Sequence, residues 1–144
     1  LSKAWEHRLI PIFCVGENES EREAGRTFSV IETQLKDGLA SLEKEQIGGI
    51  IIAYEPVWAI GTGKTATPGQ AQEVHAFIRQ SISKVYGTRY GREMRLLYGG
   101  SVKPDNMRTL LQQTDVDGGL VGGASLNPDD FLEIVRQAAG VIKN

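Results

Sequence analysis

A single glutamate in this sequence stands where a protein built from parallel strands would place a general base. Glu55 comes just after the apolar run at 49–53, and parallel-sheet proteins carry their active sites at the carboxyl ends of the strands. Val57, Trp58 and Ile60 would give the carboxylate an apolar setting, which suits proton abstraction. A glutamate that caps a loop or a helix would occupy the same position, so both interpretations stay open on position alone.

The loop after this glutamate has the composition of a mobile lid. Pro56 stiffens its start, and Gly61 and Gly63 supply backbone freedom. Residues 63–65, Gly-Lys-Thr, end like a phosphate-binding P-loop. That motif requires glycine five residues before Gly63, where this sequence has Trp58. The P-loop interpretation therefore fails.

The same loop also imitates the glycine fingerprint of dinucleotide-binding proteins. Gly61, Gly63 and Ala66 have the matching spacing, but that motif requires an acidic residue about 20 positions further on. The stretch 74–92 contains no aspartate or glutamate. The glycines also lie several residues beyond their strand instead of directly after it, so a nucleotide cofactor is not expected.

Two further glycine clusters, 98–102 (YGGSV) and 122–125 (GGAS), lie at the ends of the next two apolar runs. Glycines let the backbone approach a ligand, and N–H groups at the start of a helix bind anions. A plain turn from strand to helix would explain either cluster alone. Two clusters in successive units, downstream of a glycine-containing loop, favour a phosphate site.

The elements that must position these residues alternate along the chain. Four short apolar runs are each followed by a predicted helix; the runs lie at 9–15, 49–53, 95–98 and 118–121, and the helices at about 27–44, 67–87, 104–112 and 127–139. This alternation predicts an α/β protein of about four β/α units with parallel strands. Two architectures fit: a small open four-stranded sheet, and half of a (β/α)8 barrel, whose full ring takes roughly 250 residues.

Composition excludes several classes of partner. The chain has 144 residues, 40% of them apolar and 24% charged, with a formal net charge of −2. These values give no reason to expect nucleic acid or an acidic membrane surface as a partner, and no apolar run approaches the roughly 20 residues that span a bilayer. The single cysteine, Cys14, cannot form an internal disulfide and is predicted to be a small buried packing residue. A cytoplasmic protein is expected.

Four segments of the chain resemble signature segments of the triosephosphate isomerase family, in that family's order and spacing. They are AYEPVWAIGTGK at 53–64, YGGSVKPDN at 98–106, DGGLVGGASL at 117–126 and, more weakly, FCVGE at 13–17. The likeness covers essentially the whole chain. It implies a partial TIM (β/α)8 barrel in which residues 1–144 form one incomplete domain, the C-terminal half with strands five to eight.

The resemblance also implies roles for individual residues. Glu55 would be the catalytic base that moves a proton between two carbons of a phosphorylated triose, and Tyr98 would help to hold the closed lid near Ala66. The phosphate ligands would be Gly61, Ser101, Gly122 and Gly123. The rest of the lid would be Pro56, Val57, Trp58, Ala59, Ile60, Thr62, Gly63, Lys64, Thr65 and Ala66.

Other residues are expected to be structural. By resemblance, Arg79 and Asp117 would form an ion pair that supports the loops. Neither His7 nor His75 matches a catalytic position of the family, and His75 lies in a predicted helix among apolar residues. No metal cluster is visible in the sequence, so neither a metal nor a cofactor is expected.

Some parts of the family's site have no counterpart in this sequence. The family uses a lysine and a neighbouring asparagine after strand one and a histidine after strand four. The main loop of its homodimer interface also belongs to the half of the barrel that contains strands one to four. The isolated chain is therefore expected to have negligible isomerase activity, and a dimer of the usual kind is not expected.

The first residues, Leu-Ser-Lys-Ala-Trp-Glu-His, are typical of a helix that is already running. A fragment or processed product explains this start, and so does a start shifted by only a few residues. A function from another class also stays open, namely a non-catalytic scaffold in which two half-barrels pair their edges. A stable symmetric dimer of the lone chain would favour that alternative.

Overall fold

A computed structural model describes residues 1–141 of the chain, so the last three residues of the predicted unit lie outside the described residues. The strands are β1 (Ile12–Val15), β2 (Ile51–Tyr54), β3 (Arg95–Tyr98) and β4 (Gly118–Gly119). The helices are α1 (Ser2–Glu6), α2 (Glu19–Glu23), α3 (Thr27–Leu39), α4 (Lys44–Ile47), α5 (Pro68–Tyr86), α6 (Thr88–Glu93), α7 (Met107–Leu111) and α8 (Pro128–Ala139). Two short 3-10 turns lie at Val57–Ala59 and Gly123–Leu126.

The four strands form one parallel sheet in the order β1-β2-β3-β4. Cys14 is in register with Ala53, Ala53 with Leu97, and Leu97 with Gly118. Because all the strands run in the same direction, their carboxyl ends meet along one edge of the sheet. This parallel sheet with its flanking helices confirms the predicted α/β architecture, that of a partial (β/α)8 barrel.

Helices cover one face of the sheet. Val15, Tyr54 and Leu96 point to that face and are almost completely buried. Phe13 packs there against α3, where its ring occupies the space that a side chain at Gly38 would need. The core therefore lies between the sheet and its helices, and a glycine in α3 is what lets helix and strand approach.

The opposite face of β1 is open to solvent. Ile12 and Cys14 are both exposed, because successive side chains of a strand point to opposite faces. The prediction that Cys14 is a buried packing residue is therefore wrong. Leu9 and Ile10, which precede β1, are 62% and 65% exposed, so this edge of the sheet presents uncovered apolar side chains.

The two longest helices bury regular apolar stripes. Ile31, Leu35 and Leu39 lie inward from α3, and α5 buries the equivalent series Val74, Ile78 and Ile82. A spacing of four residues keeps such side chains on one side of a helix. Among residues 1–141, no helix combines the length and the hydropathy needed to cross a lipid bilayer.

The ends of α5 match the sequence prediction. The Thr67 side chain accepts a hydrogen bond from the Gln70 N–H, the Gln70 side-chain oxygen accepts one from the Thr67 N–H, and Pro68 takes the first helical position. This is a capping box, which satisfies N–H groups that a helix leaves unpaired. The helix ends before Gly87, whose φ of 114° lies in a region that glycine adopts freely.

Other boundaries differ from the prediction. β1 begins at Ile12 rather than residue 9, since Pro11 has no N–H to donate. The helix predicted at about 27–44 ends at Leu39, and Lys44–Ile47 forms a separate short helix. Of the run predicted at 118–121, only Gly118–Gly119 is strand, and the helix predicted at 104–112 is confined to Met107–Leu111.

His75 is a packing residue of α5. It is completely buried, and its ring lies 5.9 Å from that of Tyr54 and 6.5 Å from that of Tyr98. Nδ1 donates to the Asp115 carbonyl over 3.2 Å, while Nε2 has no partner among the described residues. Burial lowers the pKa of His75 to about 4, because the charged imidazolium would lose its hydration.

This lowered pKa predicts a loss of stability in acid. Between the ordinary pKa of 6.5 and about 4, the unfolded chain takes up a proton that the folded chain does not. The neutral ring therefore contributes fully to the free energy of unfolding above pH 6.5. This contribution is lost as the pH falls toward 4, and the total loss is about 3 kcal/mol. Urea unfolding midpoints measured across this range should fall less steeply in His75→Gln, which keeps a donor for Asp115. His7→Gln, at an exposed position, should follow the parent, and equal slopes in all three proteins would contradict this account.

Candidate active site

A cavity of about 830 Å3 lies at the carboxyl-terminal edge of the sheet. Its wall is made by the predicted base together with all four predicted phosphate ligands: Glu55, Gly61, Ser101, Gly122 and Gly123. These residues follow three different strands, so their proximity is a product of the fold and not of sequence spacing. The structure therefore brings together the residues that the sequence singled out for base and anion chemistry.

Glu55 is held directly beyond the end of β2. Its N–H donates to the Val15 carbonyl over 2.8 Å, and the Gly99 N–H donates to the Tyr54 carbonyl over 2.8 Å. Backbone hydrogen bonds therefore join β2 to both of its neighbouring strands, and those to β1 extend as far as Glu55. The carboxylate also lies near Cys14, whose pKa is raised first by partial burial of the thiol and then by the negative charge of Glu55.

The predicted lid, residues 56–66, forms an exposed loop with a buried start and end. A 3-10 turn at Val57–Ala59 opens it, and Gly61 and Gly63 have φ of 69° and 79°, which strongly favour glycine. Val57 and Ile60 are about half exposed, so the apolar setting expected from them is only partial. Of this loop, Ile60 and Gly61 line the cavity.

The start of the lid is fixed by Glu17, a residue to which sequence analysis gave no role. Glu17 is completely buried, and its carboxylate accepts hydrogen bonds from the Tyr54 hydroxyl at 3.1 Å and the Trp58 indole at 3.0 Å. Arg22 donates to it over 2.9 Å and Thr27 over 3.3 Å. One buried charge therefore connects β2, the lid and two helices. The only sequence signal was an acidic residue two positions after β1, within the weakest of the four segments.

Two further contacts strengthen this arrangement. The Arg22 guanidinium lies 4.8 Å from the centre of the Trp58 ring, a cation–π distance. The Val57 N–H donates to the Glu17 carbonyl over 3.0 Å. Burial, and then the negative charge of Glu17, raises the pKa of Tyr54, so its hydroxyl remains a donor. The first turn of the lid is thus anchored by both the backbone and the side chain of Glu17.

The end of the lid is fixed by β3. The Tyr98 hydroxyl accepts a hydrogen bond from the Ala66 N–H over 3.3 Å, so Tyr98 lies next to Ala66, where the family resemblance predicted it. Burial raises the pKa of Tyr98 and keeps its hydroxyl neutral. Lys64, near the same end, forms an exposed ion pair with Glu19 of α2. Both ends of the loop are therefore held by contacts to other parts of the chain, while Gly61 and Gly63 are exposed.

The glycine clusters after β3 and β4 are held by side-chain contacts to their carbonyls. The Asn106 amide donates to the Ser101 carbonyl over 2.8 Å, and the Ser125 hydroxyl donates to the Gly122 carbonyl over 2.7 Å. The 3-10 turn begins at Gly123. Three charged residues that sequence analysis did not select also line the cavity: Lys103, Asp105 and Asp130.

Arg79 forms the ion pair that the family resemblance predicted. Its guanidinium donates to Asp117 over 2.8 Å and to Asp115 over 2.7 Å, and Asp117 also accepts from the Leu96 N–H at 2.8 Å. The predicted partner Asp117 is confirmed, and Asp115 is a second one that the sequence did not indicate. In the described part of the chain, no three His, Cys, Asp or Glu side chains come together in a way that could hold a metal ion.

Removal of the Glu17 charge should destabilise the chain. Glu17→Gln offers one acceptor oxygen in place of two and leaves the charge of Arg22 uncompensated, so we expect a loss of about 3 kcal/mol in the free energy of unfolding. Urea titration followed by tryptophan fluorescence would measure it, since Trp58 is in the network. The matched control is Glu19→Gln, whose ion pair with Lys64 is exposed on both sides and should contribute little. Equal effects of the two substitutions would rule out a special role for the buried carboxylate.

Comparison with known proteins agrees with this geometry. A family model described as triosephosphate isomerase matches residues 1–138. The triosephosphate isomerase of Chloroherpeton thalassium is 57% identical over 127 residues, which cover 88% of this chain and 50% of that protein. That of Dictyoglomus turgidum is 54% identical over 136 residues, covering 94% and 55%. The chain thus spans about half the length of the curated relatives that it matches. It belongs to the triosephosphate isomerase family.

Proposed function

We propose that this chain carries the catalytic base and the phosphate-binding loops of a triosephosphate isomerase, which interconverts dihydroxyacetone phosphate and D-glyceraldehyde 3-phosphate in glycolysis and gluconeogenesis in the cytoplasm. The observation that carries the proposal is one cavity that Glu55 shares with Gly61, Ser101, Gly122 and Gly123. A base and an anion-binding wall in the same cavity suit a small phosphorylated substrate with an acidic carbon-bound proton.

Glu55 would act on the carbon atoms of the substrate. Removal of a proton from C1 of dihydroxyacetone phosphate leaves an enediolate. Return of the proton to C2, with transfer of the hydroxyl proton from O1 to O2, gives D-glyceraldehyde 3-phosphate. The position of the carboxylate beyond β2 supports this role, because the backbone hydrogen bond from Glu55 to Val15 holds it on a rigid element. A base held in place in this way avoids much of the entropic cost of reaching the reactive geometry.

The phosphate group would be bound by the glycine-containing loops. Ser101 follows β3, and Gly122 and Gly123 come at the start of a 3-10 turn after β4. Backbone N–H groups in such turns can surround an anion, because no Cβ stands in the way at the glycines. Binding energy gained on the phosphate can be used to close the lid over the reacting carbons. Closure would exclude water from the enediolate.

The lone chain is proposed to have negligible activity. The family's lysine, asparagine and histidine have no counterpart in this sequence, and loss of one group that stabilises an oxyanion costs about 10²–10³ in rate. The open face of β1, with Ile12 and Cys14 exposed, also leaves this side of the sheet accessible to water. Activity would therefore require the rest of a barrel.

A coupled isomerase assay tests this function. The chain should be assayed alone and after refolding with the part of the Chloroherpeton thalassium enzyme that it does not match. We expect turnover only in the mixture, and a loss of about 10²–10⁴ in Glu55→Gln because general base catalysis is removed. Glu73→Gln, at an exposed position of α5, is the matched control. A folded mixture without turnover, or an active Glu55→Gln mixture, would reject the proposal.

Phosphate binding can be tested on the chain alone. Titration with inorganic phosphate, followed by amide NMR, should shift the signals of Ser101, Gly122 and Gly123. The three shifts should fit one common dissociation constant. The amide of Gly69, at the start of α5 and away from the cavity, should not move. Chloride at equal ionic strength controls for screening. Shifts spread over unrelated amides, or no shift at the three loop residues, would show that these loops do not form an anion site.

A further inference from the structure

Glu55 lies between two glycines that come from the neighbouring strands. Gly16 follows β1 and Gly99 follows β3. A Cβ atom built at Gly99 would lie 2.6 Å from Cγ, 3.0 Å from Oε1 and 3.2 Å from Cδ of Glu55. All three of its nearest atoms belong to the glutamate side chain. Glu55 therefore occupies the space that a side chain at position 99 would need.

Gly16 approaches the same residue from the other side, but it meets the backbone. A Cβ atom there would lie 1.7 Å from the Glu55 carbonyl oxygen and 2.6 Å from its carbonyl carbon. The two glycines therefore confine different parts of Glu55. Gly16 limits where the peptide group can lie, and Gly99 limits where the side chain can lie.

The backbone of Gly99 does not itself require glycine. Positive φ values occur at Gly25, Gly61, Gly63 and Gly87 among the described glycines, and Gly99 is not one of them. An alanine would therefore meet no backbone strain at this position. Gly99 is also buried, so an added methyl group could not turn toward solvent. The nearest obstacle to a larger residue is the carboxylate-bearing side chain of Glu55.

We propose that Gly99 is a positioning residue for Glu55: the absence of its side chain sets where the carboxylate lies in the cavity. This inference rests on the proposed function, because it assigns the position of the base in that reaction. Its geometric part concerns only the described contacts of this chain. A methyl group at position 99 would displace the Glu55 side chain, toward β1 or out into the cavity, without changing the backbone that carries it.

Cys14 offers a probe of this displacement that needs no activity. It is the only cysteine and is exposed. It is in register with Ala53, two residues before Glu55 on the same face of the sheet. The carboxylate charge opposes formation of the thiolate, which is the form that alkylating reagents attack. Any displacement of the carboxylate will therefore change the rate at which Cys14 is alkylated.

The decisive experiment is alkylation of Cys14 by iodoacetamide in a double-mutant cycle. Gly99→Ala should change the rate at pH 8 by about 3-fold or more, since a change of half a unit in thiol pKa alters the thiolate fraction by that factor. In the Glu55→Gln background, the same substitution should change the rate much less, because the charge is gone. Gly69→Ala is the matched control, since the nearest atom to its Cβ is 4.0 Å away.

Each outcome of the cycle decides the inference. An unchanged rate in Gly99→Ala, with the parent's far-ultraviolet circular dichroism and urea midpoint, would overturn it. An equal change in both backgrounds would also overturn it, because the effect would then not pass through the carboxylate. If Gly99→Ala fails to fold in isolation while Gly69→Ala folds, a cycle with Glu55→Ala decides. That truncation removes the clashing atoms and should restore folding; failure to restore it would overturn the inference.

Kinetics of the refolded mixture give a second test. Gly99→Ala should lower kcat by about 10- to 100-fold, as expected for a displacement of the reacting group by around 1 Å, and should change KM less than about 2-fold. A rise in KM with unchanged kcat would contradict the inference. If the parent mixture itself shows no turnover, the proposed function fails, while the alkylation cycle still decides whether Gly99 positions Glu55.

Discussion

The buried carboxylate of Glu17 is the constraint on which the rest of the site depends. It has no contact with water, and its charge is compensated by Arg22 and by hydroxyl and indole donors from Thr27, Tyr54 and Trp58. A buried charge without such partners would cost several kcal/mol, so the segments that carry the donors must come together when the chain folds. The same contacts fix the first turn of the lid and Tyr54, the last residue of β2. The geometry of the candidate site and the folding of the chain therefore share one interaction.

The parallel register supplies the second part of this arrangement. Because β1, β2 and β3 end along one edge, Gly16, Glu55 and Gly99 become neighbours although dozens of residues separate them. The backbone bonds from Glu55 to Val15 and from Gly99 to Tyr54 carry this register to the last residue before the cavity. The helices pack their apolar stripes against one face of the sheet. The carboxyl-terminal edge of the sheet is therefore left to the loops.

The glycines around the cavity have different physical functions. Gly61 and Gly63 adopt positive φ and allow the exposed loop to turn. Gly122 and Gly123 have open space where a side chain would be, which fits the proposal that their N–H groups face a phosphate. Gly99 has neither property; its space is taken by Glu55. A motif such as YGGS therefore combines a residue proposed to touch the substrate with one proposed to place the base.

Local rules determined much of this protein from sequence. The strand Arg95–Tyr98, the capping of α5 by Thr67 and Pro68, and the position of Glu55 at a strand end all follow from short-range patterns and backbone chemistry. Tertiary structure alone decided that Glu17 is buried at the centre of a hydrogen-bond network, that Asp115 joins Arg79, that Cys14 is exposed and that Gly99 borders Glu55. Each of these depends on which side chain another element brings within contact distance. Spacing along the chain carries no record of that, because contacts between strands and helices join residues far apart in sequence.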